Sequence, residues 1–255
     1  DQMTSGLQNS DLIILAARPA MGKTAFALSL ALNAAVKGKA SVMVFSMEMA
    51  KEQLGQRLLS MESKVPMQSL KTGKLERRDW DDINIALDIL SKANIHIDDT
   101  AGINIMEMKS KCRRLKAEEG LDLIVIDYLQ LMNPEGKADS RTQEISVISR
   151  NLKLLAKELN CPVLVLSQLS RAPETRTDHR PMLSDLRESG SIEQDADIVI
   201  FLYRDEYYNE DSEAHGECEV IVAKQRSGPT GTVKITWLDK LTKFVDSMGS
   251  SGPGF

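Results

Sequence analysis

The sequence predicts an α/β protein in which helices cover both faces of a twisted, mostly parallel β-sheet. Two observations carry this prediction. Short apolar runs, typical of strands buried on both faces, alternate along the chain with longer segments of helical periodicity. Near the C-terminus, two alternating runs flank "RSGPTG", a pattern typical of a β-hairpin, so the sheet is expected to end in antiparallel strands.

The predicted strands are apolar runs bounded by polar or turn-forming residues. Most are continuous apolar segments typical of a buried sheet, and the run at 94–99 is short and alternating. The strands in the parallel part are residues 11–17, 41–47, 94–99, 121–127, 161–168 and 197–203. The predicted hairpin consists of residues 218–225 and 232–238.

The predicted helices lie between the strands and carry apolar residues at spacings of three and four. They span residues 24–36, 50–61, 75–92, 104–118 and 142–159. The stripes that we expect to be buried are Trp80, Ile83, Leu87 and Leu90; Ile105, Met108, Cys112 and Leu115; and Ile145, Ile148, Leu152, Leu155 and Leu159. Three stretches break the helical pattern or are polar, namely 65–73, 133–140 and 170–196.

Composition narrows the class of protein. With 42% hydrophobic residues the 255-residue chain can bury a full core, and its net charge of −5 argues against a generic nucleic-acid coat. The three cysteines and three histidines are scattered, which predicts a reducing, cytoplasmic setting and no metal cluster. No apolar run approaches the length of a transmembrane helix, so no membrane association is expected. The missing initial methionine suggests part of a longer chain, and residues 247–255 are expected to form a flexible tail.

The stretch "AARPAMGKT", residues 16–24, nearly matches the phosphate-binding pattern G-x-x-x-x-G-K-[ST]. Gly22, Lys23 and Thr24 fit, while Ala17 occupies the position of the first glycine. Alanine is acceptable there if its φ angle stays negative. The loop follows a predicted strand and precedes a predicted helix, which is the context that the motif requires. The sequence therefore predicts a nucleotide site.

This loop is expected to bind the phosphates of ATP through backbone N–H groups and the start of the following helix. The expected nucleotide-binding residues of the loop are Ala20, Met21, Gly22, Lys23 and Thr24. Lys23 would reach the β- and γ-phosphates, and the Thr24 hydroxyl would bind Mg²⁺. Asp127 ends the apolar run "LIVID" and would hold the same Mg²⁺ through its water shell.

Hydrolysis also needs a group that activates water near the γ-phosphate. Tyr128 follows Asp127, so a glutamate directly after the aspartate is not available. Glu48 stands just beyond the second predicted strand, and parallel strands end at the edge where ligands bind. Glu48 is therefore the expected catalytic base. Gln168 ends the "LVLSQ" strand at the same edge, where a neutral amide can sense the γ-phosphate.

Taken together, these motifs resemble the RecA-like motor domain of the bacterial replicative DNA helicases, the DnaB family. The motifs that carry the resemblance are "ARPAMGKTAFAL", "FSMEM", "LIVIDYLQLM", "LSQLSR", "SDLRESGSIEQDAD" and "AKQRSGPTGT". The resemblance runs over residues 1–246 and implies a RecA-like P-loop NTPase core. It further implies a homo-hexameric ring that hydrolyses ATP, moves along single-stranded DNA and unwinds duplex. In the full-length protein it implies primase and a helicase loader as partners.

The same resemblance assigns residues that sequence alone would not. Lys224 and Arg226 in "KQRSGPTG" would be given to the ATP of a neighbouring subunit, and Arg57 would contact the nucleotide. A cation arriving from another subunit stabilises the charge on the γ-phosphate oxygens and makes hydrolysis depend on assembly.

Single-stranded DNA would meet the loop "LRESGS" at residues 186–191, where the resemblance selects Arg187, Glu188 and Gly190. Arginine can bind a phosphate with two hydrogen bonds, and glycine lets backbone N–H groups come close. No aromatic residue lies in this loop, so tracking of the phosphates is expected rather than base stacking.

Two other functions remain compatible with a P-loop core. A RecA-type recombinase shares the fold and the strand-end glutamate, but "KQRSGPTG" and "DLRESGS" favour the helicase. A nucleotide-gated scaffold would turn over little ATP, and Glu48 argues against it because a simple gate needs no catalytic base.

Overall fold

A computed structural model describes residues 3–132, 140–186 and 190–247 of the chain. Within these ranges, nine strands form a single sheet in the spatial order β3-β2-β4-β5-β1-β6-β7-β8-β9. The strands are β1 Leu12–Ala17, β2 Val42–Ser46, β3 Ile95–Asp98, β4 Leu123–Asp127, β5 Val163–Gln168, β6 Ile198–Tyr203, β7 Glu217–Gln225, β8 Gly231–Leu238 and β9 Lys243–Asp246. The first six in this order pair in parallel, and β6 to β9 pair antiparallel, as the sequence predicts.

The α-helices lie on the two faces of the sheet. They are α1 Lys23–Val36, α2 Lys51–Ser63, α3 Met67–Thr72, α4 Arg77–Ser91, α5 Ile105–Glu118, α6 Arg141–Leu159, α7 Ala172–Thr175 and α8 Gly190–Asp195. One buried cluster joins α5, α6 and α8 to the sheet, and a second joins α1 and α2 to the opposite face. Both faces of the parallel strands are therefore covered, which explains why these strands are continuous apolar runs.

Strand β1 is the central element that places the loop. All six of its side chains are fully buried, and they alternate between the two clusters. Strands β5 and β6 flank it in parallel, although both lie more than 145 residues later in the chain. The chain leaves β1 through α1 and returns to the sheet at β2, beyond β4 and β5. In folds of this kind, ligands bind at the carboxyl ends of the strands, where such a reversal of strand order leaves a crevice.

The predicted buried stripes of α5 and α6 are confirmed, because every residue named in them is buried. The prediction for α4 is wrong at two positions. Trp80 and Leu87 are 55% and 50% exposed, while Ile83 and Ala86 supply the buried contact. Helix α4 packs on α2 in an outer layer, so only a narrow face of it is covered.

Four elements of the described chain lie where no regular structure was predicted or beyond the predicted strands. Helix α3 occupies the stretch 65–73, between Pro66 and the left-handed Gly73. Strand β9 adds a fourth antiparallel strand after the hairpin, and the polar stretch 170–196 contains α7 and α8. The predicted polar loop 133–140 lies, except for its last residue, outside the described residues, as does the tail after residue 247.

Candidate nucleotide-binding site

The phosphate-binding loop connects β1 to α1 by a backbone that turns through two left-handed residues. Ala20 has φ 64° and Gly22 has φ 95°. A side chain on Gly22 would place its Cβ 2.9 Å from the ring of Phe244, so glycine is needed there for conformation and for space. Ala17 is the last residue of the extended strand β1 and is absent from the left-handed region, as replacement of the first glycine requires.

Lys23 is the first residue of α1, and its ammonium group lies over the carboxyl ends of the strands. Its Nζ donates to the carbonyl oxygen of Ser167 at 3.2 Å and lies 5.5 Å from the centre of the Tyr128 ring. Burial lowers the pKa of Lys23, while the nearby carboxylates of Asp127 and Glu48 raise it. Among the described residues no side chain caps α1 by a hydrogen bond, which leaves its first N–H groups for a ligand.

Thr24 and Asp127 are in direct contact. The Thr24 hydroxyl donates to Oδ2 of Asp127 at 2.7 Å, and Asp127 is only 3% exposed. Burial raises the pKa of this carboxyl group, although the bond from Thr24 and the charge of Lys23 lower it. Two adjacent oxygen ligands beside a phosphate loop fit Mg²⁺, a hard cation that keeps several waters and takes few protein oxygens. A cation at this place would also offset the cost of ionising the buried carboxyl group.

Glu48 and Arg57 approach Asp127 from β2 and α2. Ser46, the last residue of β2, pairs with Asp127, and the next backbone N–H, of Met47, donates to the Asp127 carbonyl at 2.8 Å. The exposed Glu48 follows directly. Burial lowers the pKa of Arg57, while Asp127 and Glu48 raise it. The structure therefore brings a second cation and a second carboxylate to the edge that holds Lys23.

Gln168 ends β5 and pairs with Ala17 at the start of the loop. Its backbone N–H points to Oε1 of Gln130 at 3.5 Å, and Nε2 of Gln130 donates to the Ser167 hydroxyl at 3.0 Å. Sequence reasoning missed Gln130, which follows Asp127 by three residues within an otherwise apolar motif. Its position in "LIVIDYLQLM" was the available signal.

Arg18 is a second residue that sequence reasoning missed. Its Nη1 donates to the carbonyl of Leu169 at 2.9 Å, and its Nε donates to Glu174 at 3.0 Å. Arg18 thus ties the beginning of the phosphate loop to the chain that leaves β5. The ion pair with Glu174 is partly exposed, so it positions the loop more than it stabilises the fold.

Lys224 and Arg226 lie near the amino ends of the parallel strands, whereas Lys23 lies at their carboxyl ends. Arg226 follows β7 at the point where β6 begins, and Ile198 of β6 pairs with Ile13 near the start of β1. Lys23 lies beyond the carboxyl end of β1. The six residues of this strand separate its two ends by about 17 Å. The two cations therefore do not join the nucleotide site of their own chain.

Of the residues predicted to contact DNA, Arg187 and Glu188 lie outside the described residues. Gly190 is the exposed first residue of α8. The segment that leads into this loop is fixed, because Leu186 is buried and forms a bridge with Leu169, the residue after Gln168. The described chain that precedes the predicted DNA-binding residues thus ends beside the end of β5.

Across residues 3–132, 140–186 and 190–247, no group of three or more histidine, cysteine or acidic side chains is arranged to hold a metal ion. None of the helices in the same ranges has the length and apolar character needed to span a membrane.

Comparison with known proteins identifies the family. The sequence model of the DnaB-like helicase C-terminal domain matches residues 1–246. The chain belongs to the DnaB-like helicase C-terminal domain family. It is 56% identical over 247 residues to the replicative DNA helicase DnaB of Geobacillus stearothermophilus, and 55% identical to the replicative DNA helicase DnaC of Bacillus subtilis (strain 168). In both cases 96% of this chain is aligned, and the chain spans about half (54%) of the length of the relative.

Solved structures show the same DnaB-like fold. The chain matches a DnaB-like replicative helicase, described together with its interactions with primase, with a TM-score of 0.93 at 45% identity, over 96% of this chain and 59% of that one. It matches a second solved structure, described as an ATPase domain, with a TM-score of 0.94 at 45% identity, over 97% and 88% of the two chains. At these identities the likeness extends from the fold to the family, and the predicted α/β class is confirmed.

Proposed function

We propose that this chain is the ATP-hydrolysing motor of a replicative DNA helicase that works as a homo-hexameric ring on single-stranded DNA in the cytoplasm. The observation that carries the proposal is that the predicted site residues are divided between the two ends of the parallel strands. Lys23, Thr24 and Asp127 lie at the carboxyl ends, while Lys224 and Arg226 lie at the amino ends. In a ring of identical copies, the amino-end residues of one chain would meet the carboxyl-end residues of its neighbour.

Each residue at the carboxyl ends of the strands has a distinct role in this proposal. Lys23 binds the β- and γ-phosphates, and Thr24 and Asp127 hold Mg²⁺, which neutralises phosphate charge when it is bound. Glu48 takes the proton from the attacking water, and Gln168 contacts the γ-phosphate. The backbone of Ala20, Met21 and Gly22 surrounds the phosphates, and Arg57 contacts the same nucleotide.

The neighbouring copy supplies the remaining charge. Lys224 and Arg226 stabilise the transition state, in which charge is spread over the γ-phosphate oxygens.

Arg187, Glu188 and Gly190 contact the DNA backbone. Primase is a proposed partner of the full-length protein, because one related structure is described with its interactions with primase. A helicase loader is proposed as a further partner from the family resemblance alone. The relatives are named as helicases, so the recombinase and scaffold alternatives are not favoured.

The test of a shared site is a subunit-mixing experiment in the full-length protein. Arg226→Ala is expected to bind ATP but to hydrolyse it about 10³-fold more slowly, the lower end of the effect of such arginines. Glu48→Ala is expected to be similarly inactive. In mixed rings, a Glu48 from one variant meets an Arg226 from the other, so ATPase activity should return in part.

Lys23→Ala is the control. Lys23 and Glu48 belong to the same half of the site, so a mixture of Lys23→Ala with Glu48→Ala should remain inactive. Failure of Arg226→Ala and Glu48→Ala to restore activity at any mixing ratio would contradict a site built from two chains.

A further inference from the structure

The two cations at the end of β7 are held by the C-terminal turn of α8. Nζ of Lys224 donates to the carbonyl oxygens of Glu193 and Ala196, the latter at 2.8 Å. Nη2 of Arg226 donates to the carbonyl oxygen of Gln194 at 2.7 Å. The last carbonyl groups of a helix lack partners within it and carry partial negative charge, so they suit cations.

Asp197 is the charged anchor of the same arrangement. Its Oδ1 lies 3.3 Å from Nε of Arg226, and its carbonyl oxygen accepts the backbone N–H of Arg226 at 3.0 Å. Its Oδ2 accepts the backbone N–H of Leu12 at 2.8 Å and a bond from Lys153 at 2.5 Å. Strand β1 and helix α6 therefore fix this nearly buried carboxylate from the side opposite to Arg226.

The contacts of Arg226 with its own chain leave part of its guanidinium free to bind another molecule. Arginine carries five N–H donors, and the contacts to Asp197 and Gln194 engage Nε and Nη2. The Arg226 side chain remains 54% exposed. A long side chain at this exposure would otherwise sample many rotamers, and ordering it on contact with a partner would cost free energy. A fixed carboxylate at Nε removes much of that cost in advance.

We propose that Asp197 is a positioning residue that holds the Arg226 guanidinium ready for the nucleotide of the neighbouring copy. The inference rests on the proposed function, because it assigns Asp197 to the half of the site that is supplied from another chain. Asp197 itself is buried and bonded to β1 and α6, so it acts through Arg226 and not on the nucleotide.

The test is Asp197→Asn in the full-length protein. Asparagine keeps an oxygen for the Leu12 N–H but loses the charge that faces Arg226. Displacing a catalytic group by about 1 Å can cost about 100-fold in rate, so kcat for ATP is expected to fall by about 10- to 100-fold. KM for ATP should stay within about twofold, because the nucleotide-binding half is intact.

Subunit mixing separates positioning from a merely structural role. Asp197→Asn mixed with Glu48→Ala should regain activity, because the Asp197→Asn copy still supplies a working Glu48. Mixed with Arg226→Ala it should gain nothing, because both variants damage the same half. A folding defect would damage both halves and would not show this difference.

Two further variants keep the test decisive. Glu219→Gln is the matched control, because Glu219 on β7 also pairs with an arginine. Its carboxylate lies 2.6 Å from the guanidinium of Arg180. Loss of this ion pair should leave kcat unchanged. If Asp197→Asn folds poorly because Lys153 is left unpaired, Asp197→Asn with Lys153→Met removes that charge and should give the same kinetic pattern.

The inference is overturned if Asp197→Asn keeps normal kcat, or if Glu48→Ala rescues Arg226→Ala but does not rescue Asp197→Asn. If Arg226→Ala itself is not rescued, the shared site fails and the role of Asp197 fails with it.

Discussion

Gly22 shows how a single residue meets two demands at the phosphate loop. Its φ of 95° lies where other residues are strained, and the ring of Phe244 occupies the space of a Cβ. Gly22→Ala is therefore expected to destabilise the protein by about 1–3 kcal/mol and to weaken ATP binding. Thermal unfolding and nucleotide titration measure the two effects.

Gly55→Ala is the matched control for that variant. Gly55 lies inside α2, and nothing occupies the space around its Cβ. Alanine is favoured over glycine in a helix, so this change should stabilise the protein by about 0.5–1 kcal/mol. Equal effects of the two substitutions would mean that Gly22 has no special conformational role.

Some residues of the candidate site follow from spacing and others do not. The loop motif places Lys23 and Thr24 at the start of a helix, and Asp127 ends a strand of the same parallel sheet. Their meeting at one edge is therefore predictable. The partners of Arg226 are not, because backbone carbonyl groups of α8 look alike in any sequence. Only the folded chain shows which of them it contacts.

At the scale of elements, buried strands were predicted within one or two residues because both of their faces are apolar. Short or peripheral elements were missed for the opposite reason. None of the six residues of α3 is buried, so no apolar stripe marks it. Strand β9 has four residues, of which Phe244 is buried. Periodicity also misplaced Trp80 in the core, because it identifies an apolar face but not whether another element covers it.

The segment 186–191, expected from the sequence to bind DNA, carries a testable prediction. Arg187→Ala should weaken binding of single-stranded DNA alike for all sequences, because a phosphate contact carries no sequence information. It should also reduce the slope of log K against log salt by about one contact, or about 0.7. Fluorescence anisotropy with several oligonucleotides at several salt concentrations measures both.

Arg78→Ala is the control for that measurement, because Arg78 lies on α4 with its side chain 90% exposed and should not affect binding. A loss for Arg187→Ala that differs between oligonucleotide sequences would indicate base reading instead.

At the scale of the whole molecule, all three thiols are inside. Cys112, Cys161 and Cys218 are buried, and burial raises the pKa of each to about 12. The folded state therefore keeps the thiol protons at a pH where the unfolded chain has lost them. Their contribution to stability is complete below the ordinary thiol pKa and is lost as the pH rises towards 12.

Replacement of all three cysteines by alanine should remove this alkaline loss. Relative to that variant, the protein should lose roughly 1.5–2 kcal/mol per thiol by pH 10. Denaturant titrations of both proteins at pH 7 and pH 10 measure the difference. Thiol labelling at pH 8 provides a second check, with no rapid reaction in the native protein and three reactive groups in denaturant. Fast native labelling would contradict this picture.

The neighbours of the phosphate loop come from distant parts of the chain. Strand β1 pairs with strands that begin at residues 163 and 198, and the ring beside Gly22 belongs to Phe244. During translation the loop emerges from the ribosome well before the residues that support it. A nascent polypeptide consequently acquires its nucleotide pocket only when synthesis of this region is nearly finished, and truncation before Phe244 removes a wall of that pocket.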